Sequence, residues 1–280
     1  MTWASGRTSL RAQSLMGWLV VCYAFLYAPI AFLIVFSFNR SRLVTAWSGF
    51  SPRWYPALAH DRVLIDATLL SLRIATVSAT LALIVGTLAG YALARFGRFP
   101  LRTAFAAAVT TPLVLPEVII GLSLLLLFVT LQRSIGWPAE RGATTVTLAH
   151  ASVSVAYVAV LVRARLADAG TALEEAAMDL YAPPSRVFAR ITLPLLMPAL
   201  VSGWLLAFTL SLDDVVVASF VRGPGAKTLP VEVFSRLHEG TTPELYALAT
   251  VIVAVVAVIL LAIGVVQRQR PGWSARLFRQ

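Results

Sequence analysis

Six long apolar runs determine what this chain can fold into. A helix needs about 20 residues to cross the hydrocarbon core of a membrane, and each run reaches that length. The runs cover roughly residues 15–38, 68–94, 104–131, 143–162, 195–221 and 245–266. Hydrophobic residues make up 59% of the chain and charged residues only 13%, whereas soluble domains have about 25% charged residues. The sequence therefore predicts an all-α membrane protein in which residues 1–280 form one domain of six transmembrane helices.

The distribution of positive charge predicts the orientation of these helices. Six spans place both termini on the same side of the membrane. The termini and the connections at 95–103 and 163–194 carry thirteen of the 23 Lys and Arg residues, and an excess of this kind marks the cytoplasmic side. The net charge of +10 then reflects topology and contact with anionic membrane lipid, and we expect no nucleic acid partner. Both termini are expected in the cytoplasm.

A polar segment at 168–194 separates the fourth and fifth apolar runs. Glu174 and Glu175 stand in the first turns of a short predicted helix, where the helix dipole favours acidic residues. Pro183 and Pro184 would end that helix, and a second short helix would lead back into the membrane. The residues alone leave two interpretations equally open. The segment is either a solvated connection with helical propensity or a module that projects from the bilayer to contact a partner.

The same segment resembles the signature of the membrane permeases of ATP-binding-cassette importers. That signature has Glu-Ala-Ala, then Gly after three residues, then Ile-x-Leu-Pro after nine. Here Glu175-Ala176-Ala177 is followed at that spacing by Tyr181, then by Ile191, Leu193 and Pro194. The resemblance implies that the first short helix docks on a cytoplasmic ATPase. Tyr181 replaces a glycine that would supply a positive φ, so the turn there is where this helix would depart from the common shape. The residues implied in the coupling contact are Glu174, Glu175, Ala176, Ala177, Asp179, Tyr181, Leu193 and Pro194.

Further segments resemble the polyamine-importing branch of these permeases, and within it the putrescine permeases. The likeness rests on Thr111-Pro112-Leu113-Val114-Leu115-Pro116-Glu117 and on the run from Gly203-Trp204-Leu205 to Leu212-Asp213-Asp214. It implies the type I importer fold, with six transmembrane helices in a bacterial inner membrane and half of the translocation pore in this chain. Because selectivity in this family rests mainly on a binding protein, spermidine or an amino-acid-like cation remain alternative substrates.

The resemblance also implies the partners of the chain. These are a second, homologous permease in a heterodimer, two ATPase subunits that bind ATP and Mg²⁺, and a periplasmic or extracellular substrate-binding protein. ATP hydrolysis would belong to the ATPase subunits. We therefore expect no cofactor, no metal and no enzymatic activity in this chain.

Three carboxylates within the predicted spans form the candidate substrate pathway. Ionisable groups cost about 2.5–3.5 kcal/mol at the centre of a membrane helix on insertion scales, and they usually face a bundle interior or a cavity. Glu117, Asp213 and Asp214 would attract the ammonium groups of a diamine, with Trp204 and Tyr157 as walls. Since the two aspartates are about 100° apart on a helix, we expect one to face the path and the other to cap, pair or meet a partner subunit. Alternatively, all three acids fix the bundle through salt bridges or helix-end hydrogen bonds.

Two other classes of function fit the sequence less well. A secondary transporter would need its own ion-coupling site and usually twice as many spans with repeat symmetry. An intramembrane enzyme would need paired catalytic groups at one depth. His150 has no second histidine nearby that would indicate a metal site, and we interpret it as a packed polar group.

Overall fold

The structure, a computed structural model, describes residues 5–42, 46–240 and 243–269. The regular elements in these ranges are helices, which confirms the prediction of an all-α protein. In chain order they are α1 (Ser5–Phe36), α2 (Trp54–His60), α3 (Arg62–Arg95), α4 (Arg102–Thr110), α5 (Glu117–Ile135), α6 (Ala143–Ala169), α7 (Ala172–Asp179), α8 (Pro184–Val187), α9 (Leu193–Asp213), α10 (Val216–Val221), α11 (Leu229–Glu239) and α12 (Pro243–Gln269). A 3₁₀ turn at Thr111–Leu113 follows α4, and a π-helical turn at Phe188–Thr192 joins α8 to α9.

Five helical stretches of the described chain are long and apolar enough to cross a membrane. They are Leu15–Phe36, Arg62–Arg95, Glu117–Ile135, Ala143–Ala169 and Pro184–Asp213. The sixth predicted span, 245–266, falls on α12, of which Pro243–Val258 qualifies as a shorter apolar helix. The sequence also predicts that the basic tail at 267–280, with Arg268, Arg270, Arg276 and Arg279, contacts lipid on the cytoplasmic side. Most of this tail follows Gln269 and thus lies outside the described residues. The number of six spans stays a prediction.

Two of the predicted spans, 104–131 and 195–221, are each divided by the structure. The first is interrupted between α4 and α5, where Pro112 lies in the 3₁₀ turn and Pro116 precedes α5 with an extended ψ of 137°. Proline has no backbone N–H to continue a helix. The second is interrupted at Asp214, whose ψ of 124° is extended. Hydropathy averaged over a long window shows neither break, because the apolar residues on both sides outweigh the few polar ones, which include Glu117 at the first break and Asp213 and Asp214 at the second.

The chain falls into two compact units, residues 1–62 with 236–280 and residues 63–235. In the first unit the buried side chain of Asn39 organises the connection after α1. The side-chain Nδ2 donates to the carbonyl of Ala46 at 2.7 Å, and the side-chain Oδ1 accepts from the backbone N–H of Ser48 at 3.0 Å. The backbone carbonyl of Asn39 accepts from Trp54 Nε1 at 2.7 Å. The apolar stretch of α1 buries none of its residues within the structure, as a helix surrounded by lipid or partner subunits would.

In the second unit, α3, α6 and α9 form the core. Gly86 and Gly90 lie where α3 crosses α6, and a Cβ at Gly90 would lie 2.6 Å from the carbonyl oxygen of Ala159. Small residues at this spacing let two membrane helices approach closely. The core beside this crossing consists of small and branched apolar side chains, namely Ala79, Ala82, Val158, Val162, Leu166, Leu196 and Ala207. The second unit carries both of the sites described next.

Candidate substrate pathway and coupling segment

One cavity of the second unit, with a volume of about 410 Å³, brings together four of the five predicted pathway residues. Glu117 enters it from the first turn of α5, directly after the break made by Pro116. Tyr157 enters from α6, and Asp213 and Asp214 from the break between α9 and α10. None of the described residues that line the cavity is Lys or Arg. The cavity therefore has an acidic character with apolar walls.

Asp214 is held in place from two sides. Its Oδ1 and Oδ2 accept hydrogen bonds from the backbone N–H groups of Val217 at 3.1 Å and Ala218 at 2.7 Å. These bonds satisfy two of the N–H groups that have no partner within the first turn of α10. Its Oδ2 also lies 3.0 Å from Nε2 of the buried His150. The carboxylate of Asp214 thus fixes the start of α10 against α6.

A chain of hydrogen bonds continues from His150 into α9 and α3. His150 Nδ1 lies 2.6 Å from the hydroxyl of Ser211, and the hydroxyl of Ser78 donates to Ser211 at 3.2 Å. When Nε2 donates to Asp214, the neutral ring accepts through Nδ1, so each polar group in the chain has a partner. Such a fully paired network fixes one arrangement of the helices around it.

Asp213 has different surroundings from its neighbour. It is exposed, it lines the cavity, and its carboxylate forms no ion pair with any residue in the described ranges. The carboxylate of Glu117 is exposed in the same way. These two acids are therefore available to a cation, whereas Asp214 is already engaged.

The fifth predicted pathway residue, Trp204, does not line this cavity. Its ring stacks on Phe208 with centroids 5.1 Å apart, and its Nε1 donates to the hydroxyl of Thr80 at 3.2 Å. His150 also lines the cavity, although the sequence predicts only a packed polar group at this position. One signal was available, because His150, Ser154 and Tyr157 have the i, i+4, i+7 spacing of a single helix face, and all three line the cavity.

The short helix α7 of the predicted coupling segment has one exposed face and one buried face. On α7, Glu175, Ala176 and Asp179 are exposed and Ala177 is half-buried, whereas Glu174 is buried. Of the predicted coupling residues, Leu193 and Pro194 form the first turn of α9. Proline at 194 has no N–H for the carbonyl four residues earlier, which accounts for the widened π turn at Phe188–Thr192 just before it.

Tyr181 adopts the backbone conformation that glycine would normally supply. Its φ is +57° and its side chain is 96% exposed. The N–H of Tyr181 bonds to the carbonyl of Met178 at 2.9 Å, and the N–H of Ala182 bonds to the carbonyl of Ala177 at 3.1 Å. These two bonds define a Schellman motif with Tyr181 at the position usually taken by glycine. The turn therefore has the conformation that a glycine at this position would give, and Tyr181 has a strained left-handed backbone.

Residues 62–272 match the family described as binding-protein-dependent transport system inner membrane components. The chain belongs to this family. Such a component is the membrane permease of an ATP-binding-cassette importer, a multi-pass membrane protein that carries no catalytic activity, and the systems pair two permeases with ATPases and a binding protein. Within the described ranges, no group of three or more His, Cys, Asp or Glu residues is arranged to hold a metal ion.

Two relatives show how far the similarity extends. The putrescine transport system permease protein PotI of Escherichia coli is 55% identical over 86% of this chain and 86% of that protein. The spermidine/putrescine transport system permease protein PotC of Haemophilus influenzae is 42% identical over 83% of this chain and 88% of that protein.

Solved structures support the fold. A chain of a bacterial ABC transporter that imports the acidic polysaccharide alginate superposes with a TM-score of 0.70 at 16% identity, covering 96% of this chain and 98% of that one. A chain of the MetNI methionine ABC transporter in an inward-facing conformation gives a TM-score of 0.59 at 20% identity, covering 74% and 95%. The predicted fold of an ABC importer permease is confirmed.

Proposed function

We propose that this chain is a permease for a linear polyamine, with putrescine as the preferred substrate and spermidine as the nearest alternative. It forms half of a pore, and a second, homologous permease forms the other half. Two ATPase subunits bind ATP and Mg²⁺ on the cytoplasmic side, and a soluble binding protein delivers the substrate from the other side. The whole chain acts as a single permease domain in the inner membrane.

The observation that carries this proposal is the charge of the cavity. Putrescine is a short dication, and its two ammonium groups need separate anionic partners with apolar space for the methylenes between them. Glu117 and Asp213 are two exposed carboxylates on different helices, and Ile120 and Val153 are among the apolar residues that line the same cavity. An acid in the membrane interior normally faces a pathway or a partner. The identity to a putrescine permease supports the same substrate class.

Uptake by the assembled transporter tests the pathway. The chain is expressed with the proteins encoded beside its gene, and uptake of radiolabelled putrescine is measured in reconstituted vesicles. We expect Glu117→Gln and Asp213→Asn each to reduce uptake without altering assembly. Glu140→Gln is the matched control, since Glu140 is exposed and lies outside the cavity. Uptake unchanged in both pathway variants would contradict the assignment, and competition by spermidine would decide between the two polyamines.

Co-purification tests the coupling contact. We propose that the exposed face of α7, with Glu175, Ala176 and Asp179, docks on the ATPase. Glu175→Arg reverses the charge on this face and should abolish recovery of the ATPase with the chain, while Glu140→Arg should not. If no ATPase is recovered with the unaltered chain, the proposed function is wrong.

Cysteine labelling tests the orientation. We propose that both termini and the coupling segment lie in the cytoplasm. Cys22 is the one cysteine of the chain, so Cys22→Ala gives a background in which a new cysteine is labelled alone. In that background, Ala176→Cys should react with an impermeant maleimide only after the cells are opened, whereas Glu140→Cys should react in intact spheroplasts. The reverse pattern would overturn the orientation.

A further inference from the structure

Glu174 is the buried acid beside the exposed docking face of α7. Its Oε2 lies 2.8 Å from Arg95 Nε, and the two side chains are only 11% and 12% exposed. Its Oε1 accepts hydrogen bonds from Arg95 Nη2 at 3.3 Å and from the hydroxyl of the buried Thr192 at 2.7 Å. Each carboxylate oxygen therefore has a partner, and one of the partners carries a full positive charge.

Arg95, the last residue of α3, reaches two further segments. Its Nη1 donates to the carbonyl of Leu166 on α6 at 3.1 Å, and its Nη2 donates to the carbonyl of Gly170 in the turn before α7 at 2.6 Å. The planar guanidinium has five N–H groups in a fixed arrangement, which is why one side chain can bind several acceptors at once. Arg95 and Glu174 together join α3, the end of α6, α7 and, through Thr192, the π turn that leads into α9.

These connections lead towards the substrate cavity. The helices α6 and α9 run from this cluster to the cavity, where they carry His150 and Ser211, and α3 contacts Ser211 through Ser78. Besides its covalent connection to α6 and its packing against α8 and the π turn, α7 is tied to these helices by the ion pair and hydrogen bonds of Arg95 and Glu174. A displacement of α7 therefore acts on the helices through these groups. The exposed residues of α7 that we propose to dock on the ATPase are Glu175, Ala176 and Asp179. The docking contact and the Arg95–Glu174 ion pair therefore use different side chains.

We infer that the Arg95–Glu174 pair, with Thr192, is the clasp that transmits movement of the coupling helix to the pore helices. This inference rests on the proposed function. Arg95 and Glu174 are positioning residues, since they act by holding α7 and do not touch the substrate or the ATPase. Removing one member leaves a buried charge without its partner, which destabilises the arrangement far more than loss of an exposed pair.

The ratio of transport to ATP hydrolysis in the assembled complex tests the clasp. We expect Arg95→Gln and Glu174→Gln to keep the ATPase bound, because the exposed face of α7 is unaltered. The number of putrescine molecules imported per ATP hydrolysed should fall, because hydrolysis continues while movement of α7 is passed on less completely to the pore helices. Arg95→Lys should restore part of the ratio, and Arg98→Gln, an exposed arginine in the following turn, should leave it unchanged.

Two results would overturn the inference. One is a transport-to-ATP ratio in Arg95→Gln and Glu174→Gln equal to that of the unaltered complex. The other is loss of ATPase binding, hydrolysis and transport in parallel, which would show a structural role only.

A measurement on the full chain alone separates this inference from the proposed function. Amide hydrogen exchange of α7 in lipid nanodiscs should become faster in Arg95→Gln and stay unchanged in Arg98→Gln. Equal exchange in the two variants would refute the clasp even if the transporter proved to have another partner or substrate.

Discussion

The neighbouring acids Asp213 and Asp214 give the sharpest prediction. They have the same side chain and line the same cavity, but only Asp214 pairs with His150 and accepts hydrogen bonds from α10. Asp214→Ala removes a carboxylate that accepts two backbone N–H groups of α10 and pairs with His150. Asp213→Ala removes an exposed carboxylate without an ion pair among the described residues. We expect the first change to lower the stability of the protein and the second to leave it unaltered.

The magnitude follows from the contacts of Asp214. Loss of a side chain that caps a helix costs about 1 kcal/mol. The imidazole of His150, only 4% exposed, would be left without a partner at one ring nitrogen, which costs about 1–3 kcal/mol. The sum is about 2–4 kcal/mol. Asp214→Asn should cost about 1 kcal/mol, because an amide has one acceptor oxygen. That oxygen can keep the bonds to Ala218 and His150, while the NH2 group faces the N–H of Val217 and loses that bond.

Thermal unfolding in nanodiscs, followed by tryptophan fluorescence, measures these differences. A change of 1 kcal/mol shifts the midpoint by roughly 2–4 °C for a chain of this size class. We therefore expect a decrease of several degrees or more for Asp214→Ala, a smaller one for Asp214→Asn and none for Asp213→Ala. An equal decrease for both alanine variants would refute the assignment of Asp214 as the structural acid.

Three further predictions rest on backbone geometry and packing and use the same unfolding measurement. Gly90→Ala should cost about 1–3 kcal/mol, since overpacking of a tight crossing is destabilising, whereas Gly97→Ala should cost little because nothing lies within 4 Å of a Cβ there. Tyr181→Gly should stabilise the protein by about 0.5–1 kcal/mol, because relief of a left-handed φ, worth about 1–2 kcal/mol, exceeds the entropy that glycine adds to the unfolded chain; a decrease in stability would contradict the strain. Gly121→Ala would place a Cβ 2.7 Å from the ring of Phe220, so Phe220→Ala in the same chain should recover part of the lost stability, and purely additive losses would argue against this contact.

The helical fold could be predicted from hydropathy because a long apolar run in a membrane has few alternatives. The interruptions could not. At Pro112 and Pro116 the break could be anticipated from proline chemistry, but its length and the resulting position of Glu117 depend on how α4 and α5 pack. The break at Asp214 has no proline at all, and it exists because a side chain there satisfies the N–H groups of α10.

The candidate site was predictable in its residue types and only partly in its arrangement. Acids in apolar spans stand out in any sequence, and the structure brings Glu117, Asp213 and Asp214 to one cavity. The sequence predicts Trp204 as a wall of the same path, yet its position on α9 directs it towards Phe208 and Thr80. The sequence does not indicate His150 as a partner of Asp214, because the two are 64 residues apart and no local pattern links them.

The chain contains two pairs of adjacent acids, Glu174–Glu175 and Asp213–Asp214, and in both pairs the neighbours have different surroundings. Glu174 and Glu175 are consecutive on α7 and point about 100° apart. In the second pair α9 ends at Asp213, and the extended backbone of Asp214 brings its carboxylate to the N–H groups of α10. In each pair one acid is engaged by a basic partner, Arg95 or His150, and the other is exposed. The engaged acids fix the helices at the two ends of the path from the coupling segment to the cavity. The exposed acids are left for contact with an ATPase at one end and with a cationic substrate at the other. Replacing both members of a pair together would therefore combine a structural effect with a functional one, and only the single variants can separate them.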